Sequence, residues 1–165
     1  MEFTLRPFIE ADAFSIARYA NNIKIWRNLR DLFPHPYTIA DAFGFIAACS
    51  TEKGQFIRAI DIGGEAAGSI GLAYGKDVHS KTAELGYWLA EPYWGRGVMT
   101  GAVTEICGLA FGELGLMRVF AEPYSDNIAS RRVLEKAGFV LEGVMRKAAV
   151  KQGVIKDCCM YARIV

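Results

Sequence analysis

The chain has 165 residues, 52% of them hydrophobic, with 19 Lys and Arg against 18 Asp and Glu for a formal net charge of +1. At about 150 residues per domain this predicts a single domain over 1–165, with enough apolar material to bury a core instead of remaining a disordered tail. The balanced charge excludes the broad basic field on which phosphate-dominated binding depends, so no nucleic-acid partner is expected.

In chain order, Phe3 to Pro7 predicts a short strand, and its charged, alternating character does not follow the basic-then-apolar plan of a signal peptide. Ala13, Ile16, Ala17 and Ala20 have the spacing of one helix face, predicting a helix over 10–22, and a second short helix is expected over 25–32. Pro34-His35-Pro36 ends it, and Thr38 with Asp41 has the form of a capping box opening a helix through Ala48. From Gln55 the period changes to two. Strands are predicted over 55–62, 66–74 and 82–89, the first two joined at Gly63-Gly64, as an antiparallel meander.

A long helix is expected over 96–114, with Met99, Val103, Ile106, Ala110 and Leu114 on one stripe. A strand over 118–122 and a helix over 127–137 follow, the helix closed by Gly138. Strands over 139–150 and 154–163 complete the chain as a hairpin across Gln152-Gly153. A strand, long helix and further strand imply one parallel crossover in a mostly antiparallel sheet, hence an α/β (α+β) sandwich. The closing Cys158-Cys159-Met160-Tyr161 reads equally as an exposed edge able to pair with a second subunit or as an internal core strand.

No apolar run approaches the roughly 18 residues of a membrane helix, so a soluble, cytoplasmic protein with no membrane partner is expected. Cys49, Cys107, Cys158 and Cys159 form no CxxC pair, and only His35 and His79 are present, so reduced buried thiols and no metal are expected. His79 reads as a surface residue.

The chemistry concentrates where the third meander strand, Glu84-Leu85-Gly86-Tyr87-Trp88-Leu89, turns through Pro92-Tyr93-Trp94-Gly95-Arg96-Gly97 into the long helix. A glycine-rich loop at a helix N-terminus offers unpaired N–H groups at the positive end of the dipole, suited to a diphosphate. Neither a Walker loop nor a G-x-G-x-x-G fingerprint is present. A tight turn into a helix is the alternative explanation of the same residues.

These segments, with Asn127-Ile128-Ala129-Ser130 and Leu134-Glu135-Lys136-Ala137-Gly138-Phe139, resemble the acetyl-coenzyme A binding segments of the GNAT N-acetyltransferase superfamily. The resemblance is strongest to the branch that acetylates ribosomal-protein N-termini. Leu5-Arg6-Pro7, Glu142-Gly143 and Asp157 also fit that branch, which extends the likeness from Phe3 to Ile164.

The resemblance implies a GNAT sheet of about seven strands with a splayed centre, and acetyl-coenzyme A as cosubstrate. It implies transfer of the acetyl group to a primary amine, a protein N-terminus or a small molecule, by direct attack in a ternary complex. The loop Trp94, Gly95, Arg96, Gly97, Val98, Met99 and Thr100 is then expected to hold the diphosphate through backbone amides, with Arg96 reaching a phosphate oxygen. Trp88, Leu89 and Ala90 are expected to offer strand-edge groups to the pantetheine arm.

Asn127 and Ser130 are expected near the coenzyme, Ser130 as proton donor to the leaving thiolate, and Arg131 at the nucleotide end. Asn127 also reads simply as an N-cap. Glu84 is the candidate base for the acceptor ammonium, with a salt-bridged strand carboxylate as the alternative. Trp26, Phe33, Tyr37 and Tyr124 are candidates for the acceptor pocket, although aromatics at such spacing also read as core. Trp94 stands where Gln or Arg is common, Met99 where Gly or Ala is usual, and Leu134 where many relatives have Tyr. The last two keep open a second reading, a catalytically silent acyl-coenzyme A binding or sensing module. Relatives are often homodimers, so the resemblance carries that expectation too.

Overall fold

The structure, a computed structural model, describes residues 1–51 and 53–165. Seven strands form one sheet in the order β1-β2-β3-β4-β5-β7-β6. They are β1 (Thr4–Arg6), β2 (Gln55–Ile62), β3 (Glu65–Tyr74), β4 (Thr82–Leu89), β5 (Arg118–Ala121), β6 (Val140–Lys151) and β7 (Val154–Ile164). Every pairing is antiparallel except β4 with β5. The helices are α1 (Ala13–Ala20), α2 (Ile23–Trp26), α3 (Ile39–Cys49), α4 (Val98–Gly112) and α5 (Ile128–Lys136). This is the mixed fold expected from the order of periods in the sequence.

The sheet is covered on both faces. Period-two alternation sends Leu85 and Leu89 of β4 into a core with Ile70, Val103, Ile106 and Leu134, beneath α4 and α5. Trp88 faces the other way, into a core with Ile16, Ile25, Tyr37 and Ile46 from α1 to α3. Adjacent Cys158 and Cys159 are likewise split between faces: Cys159 joins the α4 core and Cys158 reaches the cleft described below. All four cysteines are free and buried.

The parallel pairing is short. Thr82, Ala83 and Glu84 pair with Arg118, Val119 and Phe120, after which β4 runs on through Leu85 to Leu89 with no partner on its β5 side among the described residues. β5 ends at Ala121 and is followed by Pro123, which has no N–H to extend a ladder. The sheet therefore opens between β4 and β5.

Two expectations change, and of the two readings left open for the closing strand the internal one holds. The helix expected over 25–32 is a single turn, Ile23–Trp26, capped by Asn22 Oδ1 on the Lys24 N–H at 2.8 Å. The following residues are drawn into turns instead, by Trp26 Nε1 donating to Phe33 O at 3.0 Å and Tyr124 Oη donating to Leu29 O at 3.4 Å. The long helix starts at Val98, not Arg96, because Gly95 and Gly97 hold φ of 72° and 78°, outside helical backbone. Finally, β7 lies between β5 and β6 and so offers no free edge; the edge at that end of the sheet is β6, carrying the exposed Val140, Leu141 and Val144. The Thr38–Asp41 capping box and the bounds of β2 and β4 are as expected.

Candidate active site

An open cleft of about 1920 Å³ runs from the opened β4 edge across to the segment after α2 and the tip of the β6–β7 hairpin. Its first part is built by the β4-to-α4 junction. Gly97 is the N-cap of α4 in left-handed backbone, a conformation glycine adopts at little cost. The first bond closing the helix runs from the Gly101 N–H to Gly97 O at 3.0 Å, so the N–H groups of Val98, Met99 and Thr100 point out of the helix end with no acceptor among the described residues. A Cβ placed on Gly95 or Gly97 would meet nothing within 4 Å. The loop is thus an uncrowded cradle of donors, with chemistry suited to an anion.

Several expected loop roles are redistributed. Val98 and Met99 pack their side chains into the α4 core while both residues also line the cleft, so most of the bulk of Met99 is taken up away from the cradle. Trp94 donates its indole Nε1–H to Leu89 O at 2.7 Å and ties the loop to the end of β4. Ala90 is fully buried, and its N–H is already spent on Ala67 O at 2.8 Å, which leaves Trp88 and Leu89 as the cleft-lining strand residues. Arg96 is exposed at the loop tip without a hydrogen-bond or ion-pair partner among the described residues, and it does not line the cleft.

The start of α5 faces this loop. Asn127 Oδ1 accepts from the Ser130 N–H at 3.2 Å, which is the capping role, and both residues line the cleft. Ser130 Oγ lies 2.8 Å from Tyr87 Oη. Burial pushes the Tyr87 phenol up to about 12, against the smaller opposing effect of its bond to Ser130. Tyr87 was not singled out from the sequence, although period two places it on the α4 face with Leu85 and Leu89.

Arg131 is turned away from the cleft: its Nε donates to Tyr161 Oη at 3.2 Å and its Nη1 to Ser125 O at 3.0 Å. The next residue, about 100° further round the helix, faces the cleft instead, and Arg132 with Lys136 forms a cationic i, i+4 pair there. Leu134 is fully buried beneath α5 and so belongs to the core.

The second part of the cleft lies on the α3 side. Phe33, Tyr37 and Tyr124 line it, and Phe33 packs against Tyr37 and edge-on to Trp88 with ring centroids 4.9 and 6.0 Å apart. Trp26 does not line it. Its ring is occupied by His35, stacked at 5.3 Å, and by Lys151 Nζ, 3.8 Å from the ring centroid. Glu84 projects into this part and is ion-paired with Arg30, whose guanidinium also stands 3.6 Å from Glu122.

Comparison with known proteins agrees with this architecture. Residues 2–140 match the family model described as an acetyltransferase (GNAT) domain. A probable N-acetyltransferase, YjcK of Bacillus subtilis, is 46% identical over 77 residues, 47% of this chain and 42% of that protein. The ribosomal-protein-serine acetyltransferase of Escherichia coli is 34% identical over 87 residues, 52% of this chain and 48% of the other. The chain thus spans about half the length of the curated relatives it matches. Among solved structures, the microcin C7 self-immunity acetyltransferase MccE, in complex with acetyl-CoA and AMP, is similar at a TM-score of 0.87 and 26% identity, over 99% of this chain and 93% of that one. A sheet opened at its one parallel pair, a glycine-capped helix at that opening and a match over most of the sequence lead to one assignment: the chain belongs to the GNAT acetyltransferase family.

Proposed function

We propose that this protein transfers the acetyl group of acetyl-coenzyme A to a primary amine, by direct attack within a ternary complex. The observation that carries the reading is the convergence of three features on one cleft: the unpaired β4 stretch, the free amides of Val98 to Thr100, and Ser130 held by Tyr87.

The residues present suit the coenzyme. The open space above Gly95 and Gly97 and the three amides suit a diphosphate, while Arg96, Arg132 and Lys136 are cations without partners among the described residues. The stretch of β4 beyond Glu84, unpaired on its β5 side, suits an extended amide-bearing arm, which adds to a sheet much as a peptide does. When bound, the coenzyme supplies an activated thioester.

The chain's own groups then divide the work. An amine with an ordinary pKa enters mostly as ammonium at neutral pH, and Glu84 takes its proton to expose the lone pair. A β4 N–H polarises the carbonyl under attack. Ser130 gives a proton to the departing sulfur, with Tyr87 fixing the orientation of its hydroxyl. Phe33, Tyr37 and Tyr124 give the acceptor side aromatic walls. Met99 and Leu134 both spend their side chains on the core, so Leu134 offers no proton donor and that role is left to Ser130.

The test is release of free thiol on mixing the protein with acetyl-coenzyme A and a panel of peptide, polyamine and aminoglycoside acceptors. Acceptor-dependent thiol release with an acetylated product is the expected result. Tight coenzyme binding with no turnover on any acceptor would instead favour a silent binding module.

A further inference from the structure

Arg30 was not a candidate from sequence, yet it occupies the centre of the acceptor side. Glu84 pairs in register with Phe120 on β5, and Glu122 follows two residues on, so the two carboxylates stand on the same sheet face diagonally across the β4–β5 opening. Their side chains are 28% and 29% exposed, and the Arg30 guanidinium that bridges them is 65% exposed. The cation therefore lies on the solvent side of the carboxylates, over the approach to them. Among the described residues these two are its only ion-pair partners, with Tyr124 and Cys158 also in its electrostatic neighbourhood.

Arg30 is also carried by turns after α2, not by a helix or strand, so it can withdraw without unpacking a core. An ion pair this exposed holds its partners only weakly. Two neighbouring carboxylates favour a counter-cation between them. Both carboxylates line a smaller concavity of about 530 Å³ as well as the main cleft, so a ligand can reach them beside Arg30.

We propose that Arg30 is a displaceable internal counter-ion, and that the acceptor enters as an ammonium group which takes its place between Glu84 and Glu122. This rests on the acetyl-transfer reading above and specifies its substrate class as cationic amines. While Arg30 is in place, its guanidinium occupies the Glu84 carboxylate that an incoming ammonium must reach. Once the ammonium displaces it, Glu84 stands beside the negative Glu122 and takes the ammonium proton. The nitrogen lone pair then forms the C–N bond as the C–S bond breaks, and the sulfur leaves as thiol after receiving one proton. The balance is one ammonium and one thioester consumed, and one amide, one thiol and one proton released. The rival arrangement, in which Arg30 anchors an anionic acceptor, would instead lose that acceptor when Arg30 is removed.

The experiment measures calorimetric binding of cadaverine, and of acetate as an anionic probe, to the protein saturated with coenzyme A. Wild type is compared with Arg30→Ala, Arg30→Lys and Glu122→Gln, and thermal melts establish that each variant is folded. Arg30→Ala is expected to bind cadaverine two- to fivefold more tightly, Arg30→Lys to resemble wild type, and Glu122→Gln to bind it more weakly. Weaker or unchanged cadaverine binding in Arg30→Ala, loss of acetate binding in that variant, or no cadaverine binding in any form would overturn the proposal. The expected binding pattern without thiol release from acetyl-coenzyme A would leave it standing and remove the acetyl-transfer reading instead.

Discussion

The phenolic oxygen of Tyr87 lies 2.8 Å from the hydroxyl oxygen of Ser130, joining β4 to the first turn of α5 across the opening in the sheet. With its pKa pushed up to about 12 by burial, Tyr87 stays protonated at neutral pH. When it donates to Ser130 Oγ, the hydrogen of the serine is left free to point into the cleft. Tyr87→Phe is expected to lower kcat about tenfold, the loss of one hydrogen bond worth ~1.4 kcal/mol in the transition state, with coenzyme affinity nearly unchanged. Ser130→Ala should cost more, and the double variant no more than Ser130→Ala alone. Additive losses in that cycle would show that the two hydroxyls act independently.

Gly97 supports a second prediction. Any side chain at φ 78° strains the backbone, and Gly97→Ala is expected to lower stability by about 1 kcal/mol. Gly97→Glu adds a negative charge beside the amides of Val98 to Thr100, and coenzyme affinity should fall by more than the tenfold that ~1.4 kcal/mol gives. Titration calorimetry with coenzyme A separates the two effects; equal affinities for the Ala and Glu variants would remove the diphosphate from this loop.

Lys151 is a buried lysine, 2% exposed, whose Nζ is 2.7 Å from Asp31 Oδ1 and lies over the Trp26 ring. It fastens the tip of the β6–β7 hairpin to the segment that carries Arg30 and Phe33. Lys151→Ala should destabilise the protein by about 1–3 kcal/mol through lost packing and a lost cation–π contact. It should also raise acceptor KM while leaving coenzyme affinity unchanged. A parallel loss of coenzyme affinity would mean that the latch supports the whole cleft.

Asp12 supports a prediction about acid stability. It is 5% exposed and accepts from Arg6 Nη1 and Nη2 at 2.8 Å each and from the Ile9 N–H at 2.9 Å. Burial pushes its carboxyl up, but the bonds from Arg6 and Ile9 outweigh that and hold it below the usual carboxylate range. Because the folded value is the lower one, its contribution is fully present above the unfolded value near about 4 and is lost as pH falls through the folded value. The urea midpoint should therefore drop on acidification below about pH 4, and less steeply in Asp12→Asn. Identical slopes for the two proteins would place the acid sensitivity elsewhere.

The order of elements was legible because each rests on short-range chemistry: period-two runs for β2 to β4, the Thr38–Asp41 box for α3, and a glycine loop opening α4. The failures have a common cause. The 25–32 segment has helical spacing, but long-range bonds from Tyr124 and within the Trp26–Phe33 turn outcompete helix propensity. Trp26 looked like an acceptor wall because nothing local revealed that Lys151, far along the chain, would cover it.

The sequence by itself determined the secondary elements, the glycine-lined junction and the family to which they point, since these are encoded in neighbouring residues. Only the tertiary structure decided which side chains share the cleft. It exchanged Arg131 for Arg132 through helix phase and the pull of Tyr161, withdrew Ala90 by spending its amide on Ala67, and sent Met99 and Leu134 into the core. It also brought Arg30 to Glu84 and Tyr87 to Ser130, partners separated by 54 and 43 residues. Contacts at that separation follow from how the strands pair and where the sheet opens, which no local pattern specifies.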